Sequence, residues 1–196
     1  MHHPYQILIP LLSLFWVRVD LTDLFPLEVR VHILDIRDGD TVTVRTGNQS
    51  LKVRLSRIDA PELHQNFLGT KIDAGIVSRN CLRKIASDDT ILRIEGFDIY
   101  HRILGDLDGL NYKAVVSGCS GIYPHANFSS VTEKMIYLRA LMKARKERRG
   151  VWAHGGYMLP KIWRKISKRN GARQLHSRGH FRVTYRPGQT RGRKEY

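Results

Sequence analysis

The sequence predicts an α+β fold, mainly β: a closed or nearly closed barrel of five strands, with about three helices packed on it and a basic tail behind. Three observations carry that expectation. Five short stretches alternate apolar and polar residues with a period of two, each bounded by turn residues. Between and after them the period lengthens to that of a helix. Near residue 157 the composition turns to Lys, Arg and Gly, and sustained periodicity is lost. At 196 residues, 42% of them hydrophobic, the chain suffices for one globular domain with extensions.

Residues 28–34, "EVRVHIL", set Val29, Val31 and Ile33 on one face and Arg30 and His32 on the other, which is a half-buried strand. "TVTVR" (41–45) alternates again, with Asp38-Gly39 as the turn between the two runs. After a second turn at Gly47-Asn48, "SLKVRLSRI" (50–58) points Leu51, Val53 and Leu55 inward. Lys52, Arg54 and Ser56 therefore face outward. From about Thr70 to Ala86 the pattern is helical, with Ile72, Ile76, Val77, Cys81 and Ile85 on one stripe. "TILRIEG" (90–96) and "RILGDLDG" (102–109) are the last two strands, and a short helix is expected at about 111–117. The clearest helix runs from about Val131 to Arg149. Ser130 and Glu133 form its capping box, Val131, Met135, Leu138 and Met142 its seam, and Gly150 stops it. An OB-fold barrel fits this count, although the pattern alone does not choose it over another α+β arrangement.

The chain divides into three segments: an apolar leader at 1–25, a domain at 26–156 and a basic tail at 157–196. The leader contains "QILIPLLSLFWV", too short to span a bilayer comfortably and interrupted by Pro10. An export signal, a misplaced start codon and an extra packed segment are all compatible with it, and as an anchor it would bring the chain to a membrane. The net charge of +15 is concentrated in residues 161–196, which hold 12 Lys/Arg against Glu195, a net of +11. Such a segment attracts nucleic-acid backbones or anionic membrane surfaces. Within it "PKIWRKISKR" (160–169) is amphipathic, with Lys161, Arg164 and Lys165 as candidate phosphate contacts, and residues beyond 169 are expected to be flexible. Two cysteines, Cys81 and Cys119, are too few for a disulfide framework and read as small core or surface residues.

The chemistry gathers around "DIRDGDTVTV" and "RLSRIDAPE". Alone, Asp-Gly is a hairpin turn, and Asp59-Ala-Pro-Glu62 is a helix cap. Together they supply acids beside an arginine. Asp40 and Asp59 are hard oxygen donors suited to Ca²⁺. Glu62, left off the metal, would accept a proton from an attacking water. Arg54 and Arg102 would grip a phosphate and offset the added charge of its transition state.

"RDGDTVTV", "VRLSRIDAPE", "DIYHR" and the terminal "GVW" stand in the order and spacing of the staphylococcal nuclease (thermonuclease) family, which the chain resembles over roughly residues 27–153. The resemblance implies an OB-fold barrel that cuts DNA and RNA with Ca²⁺ at the bond to the 5′ oxygen, leaving 3′-phosphate ends, with no obligate protein partner. It also implies Asp40, Asp59 and the Ala60 carbonyl as metal ligands, Glu62 as general base and Arg54 and Arg102 as the phosphate pair. Tyr100 and Tyr123 would be aromatic contacts to the nucleotide. The chain departs from the family at His101, where glycine is usual, at Ile99, and in the loops 63–70 and 117–130. The competing expectation is a nucleic-acid-binding barrel whose basic tail does the work. No C-x-x-C, H-E-x-x-H or phosphate-cradling glycine loop is present, and His176 with His180 makes no convincing metal pair.

Overall fold

The computed structural model describes residues 6–11, 15–20 and 27–178. The chain divides into two compact units, Met1–Pro160 and Lys161–Tyr196. In the first, strands β1 (Gln6–Leu11) and β2 (Phe15–Asp20) form an antiparallel hairpin, with Pro10 opposite Trp16. The apolar leader thus has paired backbone. No helix among the described residues is long and apolar enough to cross a membrane.

The remaining long strands close a barrel. They are β3 (Leu27–Ile36), β4 (Thr41–Thr46), β5 (Gln49–Leu55), β7 (Asp89–Phe97) and β8 (Ile103–Leu107), in the spatial order β3-β4-β5-β8-β7. Only β5 and β8 are parallel neighbours. Strand β3 pairs with β7 through its first half and with β4 through its second, across a bulge between Ile33 and Asp35 that turns it round the barrel. Inside lie Val31, Ile36, Val42, Val44, Val53, Leu55, Leu92, Ile94, Ile103 and Leu107, so the alternation in the sequence does mark the inward face. A separate pair, β6 (Ile58–Asp59) and β9 (Gly121–Ile122), holds Asp59 opposite Gly121.

Helix α1 (Ala74–Ile85) starts later than expected and is capped by Asp73, whose side chain accepts from the Ile76 N–H at 3.0 Å. The "DAPE" segment starts no helix. The buried face of α1 is also not the expected one: Ala74, Gly75, Ser78 and Leu82 point in, while Ile72 and Ile76 are exposed. The reason is close approach. A Cβ on Gly75 would lie 2.2 Å from the Glu62 carbonyl oxygen, and one on Gly39 would lie 1.8 Å from Ser78 Oγ and 2.6 Å from Ala60 Cβ. Only small residues let this helix sit on the loops that carry the acids. Gly39 is therefore required by packing against α1.

Helix α2 (Leu110–Val116) leads to α3 (Val131–Lys146), capped by the Ser130 hydroxyl. Glu133 does not close a reciprocal box with Ser130; its carboxylate takes the N–H and hydroxyl of Ser129, both at 2.7 Å. The seam of α3 is Tyr137, Ala140, Leu141 and Ala144, whereas Val131 is 78% and Met142 70% exposed. The helix is rotated so that Glu133 reaches the half-buried Arg57, which also bonds Glu95 at 2.6 Å, and so that Tyr137 meets the edges of Tyr112 and Phe128. A 3₁₀ turn at Gly150–His154 follows.

The cysteines are not separate core or surface residues. Cys81 of α1 and Cys119 behind α2 form a disulfide, and Ser78 Oγ donates to the Cys119 carbonyl at 2.6 Å. Helix α4 (Pro160–Arg178) takes in the amphipathic stretch and runs on through residues 170–178, where the sequence predicts flexible chain. It exposes Lys161, Arg164, Lys165, Lys168 and Arg169, with Trp163 and Ile166 partly covered. Residues 179–196, and His180 with them, lie outside the described residues.

The Cys81–Cys119 bridge closes a separation of 38 residues, and cross-links of this class contribute about 2–4 kcal/mol. Replacing both cysteines by alanine should lower the unfolding free energy by that order in denaturant melts. An unchanged midpoint would show that the bridge contributes nothing.

Candidate active site

Asp40 immediately precedes β4 and Arg54 lies near the end of β5, and the two strands pair with Thr41 opposite Arg54. That register, fixed by Leu55 N–H donating to the Asp40 carbonyl at 2.8 Å, brings the side chains together without a long loop. Arg54 Nη1 donates to Asp40 Oδ1 at 2.7 Å and Nη2 to Asp59 Oδ1 at 3.2 Å. The two aspartates are only 7% and 6% exposed at their side chains. One guanidinium thus joins two buried carboxylates by separate nitrogens.

Asp40 is held further. Its Oδ1 accepts from the Thr41 hydroxyl at 3.1 Å and its Oδ2 from the Ala60 N–H at 3.0 Å. Its own N–H donates to Asp38 at 3.0 Å. Burial, reinforced by the charge of Asp40, pushes the Asp38 carboxyl up to about 6. Burial works against the Arg54 cation, but Asp40, Asp59 and Asp38 outweigh it and hold the guanidinium above its ordinary value.

The donor set fits a hard divalent cation. Its side-chain donors are all carboxylate oxygens, the ligand type such ions take. Among the described residues no group of three or more His, Cys, Asp or Glu is placed to hold a metal ion, and the two aspartates here are already bonded to Arg54.

Glu62 follows Asp59 by one short turn and is partly buried. Its backbone N–H donates to Gln65 Oε1 at 3.0 Å. Arg102 precedes β8. Arg102 stands two residues before Leu104, the β8 residue that pairs with Arg54 in the parallel register. The Arg102 guanidinium is held by Asp98, with Nε and Nη2 each 2.7 Å from Oδ2. Asp98 Oδ1 accepts the N–H groups of Tyr100 and Arg102. Burial alone would raise the Asp98 carboxyl, but the Arg102 and Tyr100 bonds outweigh it and hold it below its ordinary value. Tyr100 is 72% exposed, its ring 5.6 Å from the Arg102 guanidinium carbon. Tyr123, just past β9, is partly exposed and meets His125 edge-on at 5.7 Å. Lys161, Arg164 and Lys165 belong to α4, in the second unit.

Two participants fall outside the residues that the sequence singles out. Asp98 is one, although an acid opening a turn four residues before an arginine is a legible signal. Tyr157 is the other: burial raises its hydroxyl, and the nearby charges of Asp59 and Asp40 add to the effect. Its ring stacks on Trp152 at 5.2 Å, and Arg145 lies 4.4 Å over the indole. These rings back β9 and, through it, Asp59.

Residues 52–154 match the family model of staphylococcal nuclease homologues. That stretch includes Arg54, Asp59, Glu62 and Arg102, and Asp40 precedes it. An "uncharacterized endonuclease" of Haemophilus influenzae is 33% identical over 147 residues, covering 72% of this chain and 76% of its own. An "uncharacterized endonuclease" of Escherichia coli is 28% identical over 144 residues, covering 70% and 86%. A "micrococcal nuclease" of Shigella flexneri is 28% identical over 155 residues, covering 72% and 83%.

His101, at the position where a glycine is usual, has φ of +58°. It closes the turn in which Asp98 N–H donates to the Arg102 carbonyl at 2.9 Å. A left-handed backbone costs a residue with a Cβ, and glycine escapes that cost. His101→Gly should therefore raise stability by about 0.5–1 kcal/mol in thermal melts. A lowered melting temperature would show that the imidazole makes a compensating contact.

Proposed function

The chain belongs to the staphylococcal nuclease homologue family, and from that premise we propose that it is a calcium-dependent nuclease that hydrolyses phosphodiester bonds of DNA and RNA. The observation that carries the reading is the pair of buried aspartates bridged by Arg54, an arrangement that supplies cation ligands and a phosphate-binding cation side by side. A calcium ion on Asp40, Asp59 and the Ala60 carbonyl would supply positive charge to a phosphate oxygen. The rest falls to the protein's own groups. Glu62 accepts the proton of the attacking water. Arg54 uses two N–H donors on the aspartates, and its remaining donors address the phosphate. Arg102, steadied by Asp98, meets the developing charge from the neighbouring strand. The bond to the 5′ oxygen breaks and a 3′-phosphate end remains. Tyr100 and Tyr123 offer ring faces to the bases.

Helix α4 is the proposed electrostatic tether. Lys161, Arg164, Lys165 and Lys168 recur at helical spacing and are exposed. The disulfide favours work in an oxidising compartment, in keeping with an exported chain.

A second reading, a nucleic-acid-binding barrel without turnover, draws on one fact: both arginines already have carboxylate partners. Turnover separates the two readings. With calcium and single-stranded DNA, the parent should cleave, chelator should abolish cleavage, and Glu62→Gln should lower kcat about 10²–10⁴-fold while DNA affinity changes little. A folded parent that binds DNA but never cuts it would establish the second reading instead.

The tether makes its own prediction. Replacing Lys161, Arg164, Lys165 and Lys168 by glutamine should flatten the dependence of log K for DNA on log salt by about 3. An unchanged slope would remove α4 from the interface.

A further inference from the structure

The loop "LHQNFLGT" after Glu62 departs from the family pattern, and it is closely tied in the fold. Gln65 has no solvent exposure at all. Its side-chain oxygen accepts from the Glu62 N–H at 3.0 Å, and its side-chain nitrogen donates to the Met158 carbonyl at 2.5 Å. Its backbone N–H donates to the Glu62 carbonyl at 3.1 Å, and its backbone carbonyl accepts from Ala74, the first residue of α1, at 2.6 Å. The same loop is fastened beyond Gln65 too. Leu68 N–H donates to the Gly156 carbonyl at 3.2 Å, and the buried Phe67 ring lies 4.8 Å from that of His154. The residues after the 3₁₀ turn, up to Met158, therefore act as a strap across the loop.

A buried amide is costly unless its donor and acceptor are both used. An apolar side chain would fill this space equally well, but it could not join two stretches of backbone. Here the acceptor is spent on Glu62 and the donor on the strap. We infer that Gln65 is a positioning residue: it fixes the backbone of Glu62 to the 154–158 strap and so sets where the Glu62 carboxylate stands relative to Asp40 and Asp59. The inference rests on the reading of Glu62 as the proton acceptor. It requires no contact between Gln65 and substrate.

The test is a cycle on the full chain, read as steady-state cleavage of a single-stranded DNA oligonucleotide with calcium. Gln65→Met, of similar volume and without the hydrogen bonds, is made alone and together with Glu62→Gln, and folding is checked by thermal melts. Displacement of a reacting group by an ångström lowers rates by about 10²-fold. Gln65→Met should accordingly lower kcat about 10–100-fold with KM within about twofold. On the Glu62→Gln background the same change should cost less than about twofold, because the group being positioned is already disabled. Should Gln65→Met not fold, the isosteric Gln65→Glu takes its place. It keeps an acceptor for Glu62 and opposes an oxygen to the Met158 carbonyl, and its cycle is read the same way. An equal loss in both backgrounds would mark Gln65 as merely structural, and an undiminished kcat in a folded variant would also overturn the inference. If Glu62→Gln alone is as active as the parent, the reading of Glu62 falls and this inference with it. Loss at Glu62 with none at Gln65 overturns this inference alone.

Discussion

The contact on which the rest depends is the one between Arg54 and its two aspartates. Burying two carboxylates side by side is unfavourable unless a cation answers them, and stranding one member of a buried ion pair costs about 3–5 kcal/mol. That is a large part of the stability of a single domain. The surrounding structure is arranged to keep these groups close. The β4–β5 register delivers Asp40 to Arg54, β9 holds Asp59 opposite Gly121, and the Ala60 N–H caps the far oxygen of Asp40. Helix α1 closes over them with small residues, and the disulfide ties that helix to the segment behind it.

The same closure shows how Arg54, on the proposed reading, would serve structure and chemistry together. A guanidinium presents its donors in a rigid plane, so two can be committed to carboxylates while others face outward. Arg102 has a comparable arrangement one strand away, with Asp98 as its anchor. On the proposed reading each cation would be preorganised by the carboxylates it already bonds, and little reorganisation would be left for the moment a phosphate arrived.

The barrel is legible in the sequence because its signal is local. Alternation in 28–34, 41–45 and 50–58 places Val31, Val42, Val44, Val53 and Leu55 inside, and they are inside. The acids and arginines are legible for a similar reason, since Asp40, Arg54 and Asp59 lie on adjoining strands and turns. The helices are harder. A hydrophobicity stripe selects Ile72 and Ile76, but α1 packs where space is scarcest, and there the requirement is for Ala74, Gly75 and Ser78. In α3 the rotation is set by Glu133 reaching Arg57, a partner distant in sequence. The cysteine pairing and the Gln65 bridge likewise join segments far apart, and a pattern read along the chain carries no trace of such meetings. For α4, charge is visible but the extent of the helix is not, because its sequence is rich in Arg and polar residues rather than in a sustained apolar stripe.

If the acid pair bridged by Arg54 is a calcium site, calcium should bind there in the absence of any nucleic acid. Calorimetric titration of calcium into the parent and into Asp40→Asn measures this without relying on turnover. About one ion should bind per parent chain, at the roughly 10⁻⁴–10⁻³ M affinity of sites with few charged ligands, and none to the variant. A parent that takes up no calcium while folded, or a variant that binds it as well as the parent, would contradict the assignment.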